Sequence, residues 1–121
     1  MPFAHARDLA QRLLRNKVIV AYELWKSLDA LRLQHPADLT RDLATYLPVQ
    51  TIIGAEGDNG FQKLVQQFMN RTIRNGFHHP VEDARAAMDL YRSCATDWEA
   101  LITTSVWPCL LPPEEFRLWY L

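Results

Sequence analysis

Residues 76–91 read GFHHPVEDARAAMDLY, and this stretch gives the clearest indication of the fold. Pro80 fits the first position of a helix, and Glu82 and Asp83 fit its first turn, where acidic side chains favour the helix dipole. The apolar residues that follow recur at helical spacing and predict one long helix over residues 80–98. Its predicted buried face consists of Val81, Ala84, Ala87, Met88, Tyr91, Cys94, Ala95 and Trp98.

A loop histidine ahead of this helix and an aspartate in its first turn are the candidate catalytic pair. His78 precedes Asp83 by five residues. In a metal-dependent phosphodiester cleavage site, such an aspartate ligates a divalent ion and such a histidine deprotonates the attacking water. The alternative is structural, with the histidine only preceding the helix and Asp83 only supporting its dipole. The neighbours His78 and His79 lack third and fourth ligands at the usual spacings, so the sequence predicts no zinc site.

The chain upstream alternates between helices and short strands. Apolar spacing predicts helices over residues 4–16, 23–34 and 60–74, and a β-branched run predicts a buried strand over 18–22. Strand character is weaker at 38–40 and 49–53, and 42–46 is typical of a helical turn. Arg71 and Arg74 fall at the end of the third helix, where they favour the helix dipole or would contact phosphate.

The run from His78 to Tyr91 closely resembles the third motif of the DEDDh 3′–5′ exonucleases. The eukaryotic RNA-exonuclease branch, which includes the interferon-stimulated exonuclease, carries G-H-x-x-V-E-D-A-R-A-x-M-x-L-Y, and this chain follows that pattern almost residue for residue. Residues 16–31 and 60–75 resemble the family more moderately. The resemblance implies a ribonuclease-H-like fold, with His78 as general base and Asp83 as metal ligand in an exonuclease that uses Mg²⁺ or Mn²⁺.

Departures from the family pattern weaken the expectation of catalysis. The family's first two acids, a D-x-E on its first strand, have no counterpart ahead of the first predicted helix, and the aspartate of its second motif aligns with Ser27. Two-metal catalysis needs several carboxylates to bind both ions. We therefore expect no cofactor, with Mg²⁺ or Mn²⁺ only if the chain is an exonuclease. The expected fold is α-rich α/β, a partial ribonuclease-H-like fold that lacks the first antiparallel strands, with helices packed on one or two short strands.

Composition narrows the classes of partner. The 121 residues include 13 Lys and Arg against 14 Asp and Glu, a net charge of −1, which argues against broad nucleic-acid binding and leaves RNA or single-stranded DNA as weak candidates. Two cysteines are too few for a disulfide framework, and the charged beginning of the chain lacks the apolar core of a signal peptide. The sequence predicts an intracellular protein, nuclear or cytoplasmic, that does not associate with a membrane.

Aromatic residues near the end of the chain suggest a surface that covers the domain or binds a partner. We divide the chain into a partial exonuclease-like domain, 1–98, and an aromatic extension, 99–121, that packs on the domain or on a partner. Trp25 is expected on the solvent side of helix 23–34, because Leu24, Leu28 and Leu31 occupy the other side. The candidate interface residues are Trp25, Phe116, Trp119 and Tyr120.

Three hypotheses follow from these patterns. The first is a non-catalytic interaction or regulatory module derived from a DEDDh exonuclease and present as a homo-oligomer or bound to a protein partner, because the strand at 18–22 would expose an edge that templates pairing. The second is a 3′–5′ exonuclease whose missing acids come from another chain or segment. The third is a nucleic-acid binder that keeps the groove without the chemistry, which the net charge disfavours.

Overall fold

A computed structural model describes residues 2–49, 60–77 and 79–121 of the chain. Its α-helices are α1 (Phe3–Leu14), α2 (Leu24–Leu31), α3 (Gly60–Met69) and α4 (Pro80–Thr103). Its strands are β1 (Ile19–Ala21) and β2 (Thr40–Asp42), and 3₁₀ turns cover Ala37–Leu39 and Glu114–Tyr120. None of the helices in this part of the chain combines the length and apolar composition needed to cross a bilayer.

The two strands form a parallel sheet with helices on both faces. Ile19 pairs with Thr40 and Ala21 with Asp42. Because successive side chains of a strand point to opposite faces, Val20 packs towards α3 and α4, whereas Ile19 and Ala21 pack towards α2. The predicted helix-rich α/β class with one or two short strands is confirmed, and the arrangement is consistent with a partial ribonuclease-H-like fold.

Two groups of buried side chains lie on either side of the sheet. The larger group joins α3, α4 and the segment that follows β2, and its fully buried members include Leu64, Leu90 and Trp98. The smaller group is formed by Leu24, Leu28 and Leu33, with Ala10 of α1 and Trp119 and Tyr120 of the chain's end packed against it.

A buried aspartate of β2 fixes the start of α2. Glu23, which precedes the helix, has a left-handed backbone with φ of 58°. The carboxylate of Asp42 accepts hydrogen bonds from the backbone N–H groups of Glu23 at 2.9 Å, Leu24 at 2.8 Å and Ala44 at 3.0 Å. The N–H groups of Glu23 and Leu24 are ones that the start of α2 leaves unpaired, so the cap comes from the neighbouring strand.

Several predicted boundaries are wrong. Helix α3 ends at Met69 because Asn70 adopts φ of 49°, a left-handed conformation that asparagine tolerates and that stops the helix. Helix α4 continues to Thr103, beyond the predicted end at 98, so it crosses the predicted domain boundary. The second strand is Thr40–Asp42 rather than 38–40, and turns follow it where a helical turn was predicted. Most of the predicted strand at 49–53 lies outside the described residues.

The end of the chain folds back over the domain. The backbone N–H of Leu110 donates to the carbonyl of Thr45 at 2.8 Å, and that of Leu47 donates to Pro108 at 3.0 Å. Further along, the N–H of His35 donates to the carbonyl of Trp119 at 2.7 Å. The segment thus runs beside residues 45–47 and then returns to α2, on the side of the sheet opposite α4.

Candidate functional site

Asp83 lies in the first turn of α4 and faces a cleft of about 220 Å³ next to β1. Proline at the helix start and two acids in the first turn position it as the sequence predicts. Its side chain is partly buried, and its backbone N–H donates to the carbonyl of His79 at 2.9 Å. The cleft is lined by Val20, Ala21, Tyr22, Phe61, Arg74, Asp83, Ala84 and Ala87. Among these lining residues Asp83 is the one acid and Arg74 the one cation.

Arg74 binds the carboxylate of Asp83 through two nitrogens. Its Nε lies 3.1 Å from Oδ1 and 3.3 Å from Oδ2, and its Nη2 lies 3.1 Å from Oδ2. The two side chains are 15% and 25% exposed, so water screens this pair less than it screens a surface pair. The geometry is that of a forked, charge-assisted ion pair.

An aromatic pair, Phe61 and Tyr22, also lines the cleft. The Arg74 guanidinium carbon lies 5.3 Å from the centre of the Phe61 ring, within cation–π range, and Phe61 contacts Tyr22 at 5.1 Å between ring centres. Burial raises the pKa of the Tyr22 hydroxyl to about 12, the carboxylates of Glu23 and Asp42 add to this, and Arg74 opposes it. Tyr22 is therefore neutral near pH 7 and cannot replace a missing carboxylate.

The other predicted catalytic residue, His78, lies outside the described residues. Its neighbour His79 has an extended backbone and immediately precedes α4. The His79 ring lies 4.7 Å from the ring of Phe77, which is largely exposed. The juxtaposition of His78 and Asp83 therefore stays a prediction.

The side chains around Asp83 do not fit a two-metal centre. Ser27, which aligns with the family's second-motif aspartate, is exposed on α2 and does not line the cleft. Its acidic neighbours are engaged elsewhere, because Glu23 pairs with Lys26 at 3.2 Å and Asp29 pairs with Arg32 at 3.6 Å. Residues 2–49, 60–77 and 79–121 contain no group of three or more His, Cys, Asp or Glu side chains arranged to hold an ion.

Of the four candidate interface residues, Trp25 is buried and Phe116, Trp119 and Tyr120 are partly buried. Trp25 is 7% exposed, so the expectation that it faces solvent is wrong. The reason is that the returning end of the chain covers that side of α2, and Trp25 and Tyr120 line the same small cavity. Trp119 packs on α2 and donates its indole N–H to Asp29 at 3.2 Å, while Phe116 is half-buried. Their role in binding a partner stays a prediction.

Sequence reasoning missed the role of Arg74. Its position near the end of an apolar helical pattern predicted a partner for the helix dipole or for phosphate. Because the helix stops at Met69, Arg74 instead lies in the connection to α4 with φ of 57°. The nine-residue separation of Arg74 and Asp83 crosses a loop, and no regular spacing rule applies across it.

The chain is similar in sequence to proteins named as exonucleases or nucleases. It is 32% identical over 99 residues to RNA exonuclease 4 of Saccharomyces cerevisiae, covering 82% of this chain and 34% of that protein. It is 38% identical over 105 residues to RNA exonuclease 4 of Cryptococcus neoformans, and the match covers 87% of this chain and 24% of that protein. It is also 33% identical over 120 residues to the human apoptosis-enhancing nuclease, and the match covers 95% of this chain and 36% of that protein.

These matches concern only part of each relative. The chain spans about a quarter to a third of the length of these three proteins. No family model matches it. The motif at residues 76–91 and the identities of 31–38% with curated nucleases nevertheless point to the same family. The chain is a relative of the DEDDh-type exonuclease family and corresponds to part of the length of the family's members.

Proposed function

We propose that the chain is a non-catalytic interaction or regulatory module derived from a DEDDh exonuclease. The observation that carries this proposal is the composition of the cleft at Asp83, in which the lining residues that the structure describes include one carboxylate, paired with one arginine. Two divalent ions about 4 Å apart need several carboxylates to offset their charge. An arginine already bound to the remaining carboxylate opposes a metal at the same oxygens.

Exposed apolar side chains support the interaction part of the proposal. Helix α1 leaves Phe3, Leu9 and Leu13 exposed, of which Leu9 and Leu13 are four residues apart and share one face. Leu111 and Leu121 are largely exposed near the chain's end. Large apolar side chains that share one face of a surface helix are typical of a contact surface. The α1 face and the surface near the chain's end are separate candidates for contact with a second copy or with another protein.

The test of catalysis uses 5′-labelled single-stranded RNA and DNA with the purified chain in Mg²⁺ or Mn²⁺. We expect the substrate to stay intact at high protein concentration. Asp83→Ala is the matched control, and the yeast RNA exonuclease 4, purified in the same way, shows whether the assay reports activity. Shortened products that disappear in Asp83→Ala would overturn the non-catalytic proposal.

The test of association is the molar mass in solution by light scattering. We expect a dimer or larger assembly for the wild type, and a lower mass for Leu13→Asp or Leu111→Asp, both of which change exposed positions. A wild-type monomer at all concentrations would remove the homo-oligomer from the proposal. The interaction would then have to be with a different protein, which crosslinking to relatives of the same exonuclease family would test.

The second candidate is a 3′–5′ exonuclease completed by acids from another chain or segment. One observation favours it: within the described residues, β1 pairs with β2 along one edge only, and this strand borders the Asp83 cleft. An unpaired edge accepts an added strand. The degradation assay separates the two candidates, because this one requires activity that depends on Asp83 once the completing chain is present.

A further inference from the structure

We infer that the Arg74 guanidinium is the resident counter-ion of Asp83 and holds this cleft together without a divalent metal. This inference deepens the proposed function, since it concerns the same cleft. It rests on how the chain anchors Arg74, and it assigns to that residue a structural role at the centre of the former catalytic motif.

Arg74 is anchored at three points on two helices. Its guanidinium binds both oxygens of Asp83 on α4 and lies over the Phe61 ring of α3. Its backbone N–H donates to the carboxylate of Glu82 at 2.7 Å, in the same first turn of α4. The residue therefore joins α3, the connection 70–77 and the start of α4 in one cluster.

The backbone of Arg74 indicates that these contacts compensate for an unfavourable backbone conformation. Its φ of 57° is left-handed, which a residue with a Cβ adopts at an energetic cost. Such a conformation persists where surrounding interactions determine it. The ion pair, the ring contact and the Glu82 hydrogen bond are the interactions that fix it here.

Charge explains why this arrangement does not require a metal. A partly buried carboxylate needs a positive partner or hydrogen-bond donors to remain ionised without a large penalty. Arg74 supplies both through its fork of N–H groups. With Asp83 neutralised within the chain, an added divalent ion would have to displace the guanidinium from both oxygens.

The chain contains a matched control pair between the same two regions. Arg71 lies 3.0 Å from Asp89 of α4, and the two side chains are 44% and 42% exposed. This pair shares the residue types and the elements of the Arg74 pair but lacks its burial. Exposed pairs of this kind contribute little to stability.

Two double-mutant cycles test the inference by urea unfolding. The first uses Arg74→Asn, Asp83→Asn and the double variant, and the second uses Arg71→Asn, Asp89→Asn and their double variant. Asparagine tolerates the left-handed backbone at position 74. Asp83→Asn also removes an acidic charge near the start of the helix, but this effect is the same with and without Arg74 and so cancels within the cycle. We expect a coupling of roughly tenfold in the unfolding equilibrium constant for Arg74 with Asp83, against about twofold for the control pair. If Arg74→Asn does not fold, Arg74→Gln, which removes the charge and keeps a longer side chain, replaces it in the cycle.

A metal titration gives the second readout. We expect the wild type to melt at the same temperature in Mg²⁺, Mn²⁺ or EDTA at matched ionic strength. Coupling no larger than that of the control pair would overturn the inference, and so would a metal-induced rise in melting temperature that Asp83→Asn abolishes. Neither measurement involves nucleic acid, so the two claims fail separately. If the chain degraded nucleic acid and still showed strong coupling of Arg74 with Asp83, the proposed function would be refuted and this inference would stand.

Discussion

Arg41 of β2 and Glu99 of α4 form a forked ion pair that ties the sheet to the long helix. The Nε of Arg41 lies 2.8 Å from Oε2 of Glu99, and its Nη2 lies 3.1 Å from Oε1. Tyr91 donates its hydroxyl to the same Oε2 at 2.8 Å, and Nη1 of Arg41 donates to the backbone carbonyls of Asp38 and Thr40. The hydrogen bonds from Arg41 lower the pKa of Glu99 and keep it ionised.

Replacing Arg41 is expected to destabilise the fold. Arg41 is buried, and Arg41→Ala removes its hydrogen bonds to two backbone carbonyls and leaves the Glu99 carboxylate with the Tyr91 hydroxyl but without its positive partner. We expect a loss of about 2–3 kcal/mol in the free energy of unfolding, less than for a fully buried pair because Glu99 is partly exposed. Urea unfolding measures it, with Arg71→Ala as the exposed control. Equal effects of the two substitutions would refute this structural role.

The buried cap at Asp42 predicts an unusual pH dependence. Burial raises the pKa of the Asp42 carboxyl from 3.8 to about 6, although three backbone N–H groups oppose the shift. The folded state therefore binds a proton that the unfolded state has released between about pH 4 and pH 6. The contribution of Asp42 to stability is fully present below pH 4 and is lost as pH rises through 6.

Comparison with Asp42→Asn isolates this contribution. We expect the free energy of unfolding of the wild type, measured relative to the variant, to fall by up to about 3 kcal/mol between pH 4 and pH 7. The opposite contribution of Glu99 is present in both proteins and cancels. A difference that stays constant or rises with pH would mean that the backbone donors outweigh burial.

The return of the chain's end onto α2 depends on Trp119. Trp119 packs on the Leu24, Leu28 and Leu33 group and binds Asp29, so Trp119→Ala is expected to cost about 2–4 kcal/mol. It should also speed proteolysis within residues 106–121. Leu121→Ala, at an 86% exposed position, is the control and should change neither property. Unchanged protection of the segment in Trp119→Ala would show that the backbone contacts of Leu110 and Leu47 suffice.

A charge at position 25 should unfold the domain instead of changing its association. Trp25 of α2 is buried beneath the returning segment, so Trp25→Asp places an unpaired carboxylate in a largely apolar cavity that already contains Asp42. We expect a loss of more than about 4 kcal/mol, detected as the absence of a cooperative thermal transition by circular dichroism. Leu118→Asp, at an exposed position, should retain the transition. A folded Trp25→Asp variant with an altered molar mass would support the original interface assignment.

Local sequence patterns predicted the elements that depend on contiguous residues. The spacing of apolar side chains located α2, α3, β1 and α4, because these elements bury part of a periodic face. The same spacing located α1, although no residue of α1 is buried. Proline and acids at the start of α4 placed Asp83 in its first turn. The motif at residues 76–91 also identified the family, since its residue types recur together at fixed positions.

The class of fold, the position of Asp83 and the similarity to exonucleases were thus predictable from the sequence, because these depend on short-range spacing. Tertiary structure alone decided that Arg74 pairs with Asp83, that Asp42 caps α2 and that Trp25 is covered by the end of the chain. Each of these contacts joins residues across a loop or from distant segments. Their geometry depends on where helices stop and how they pack around the sheet, which no local pattern encodes.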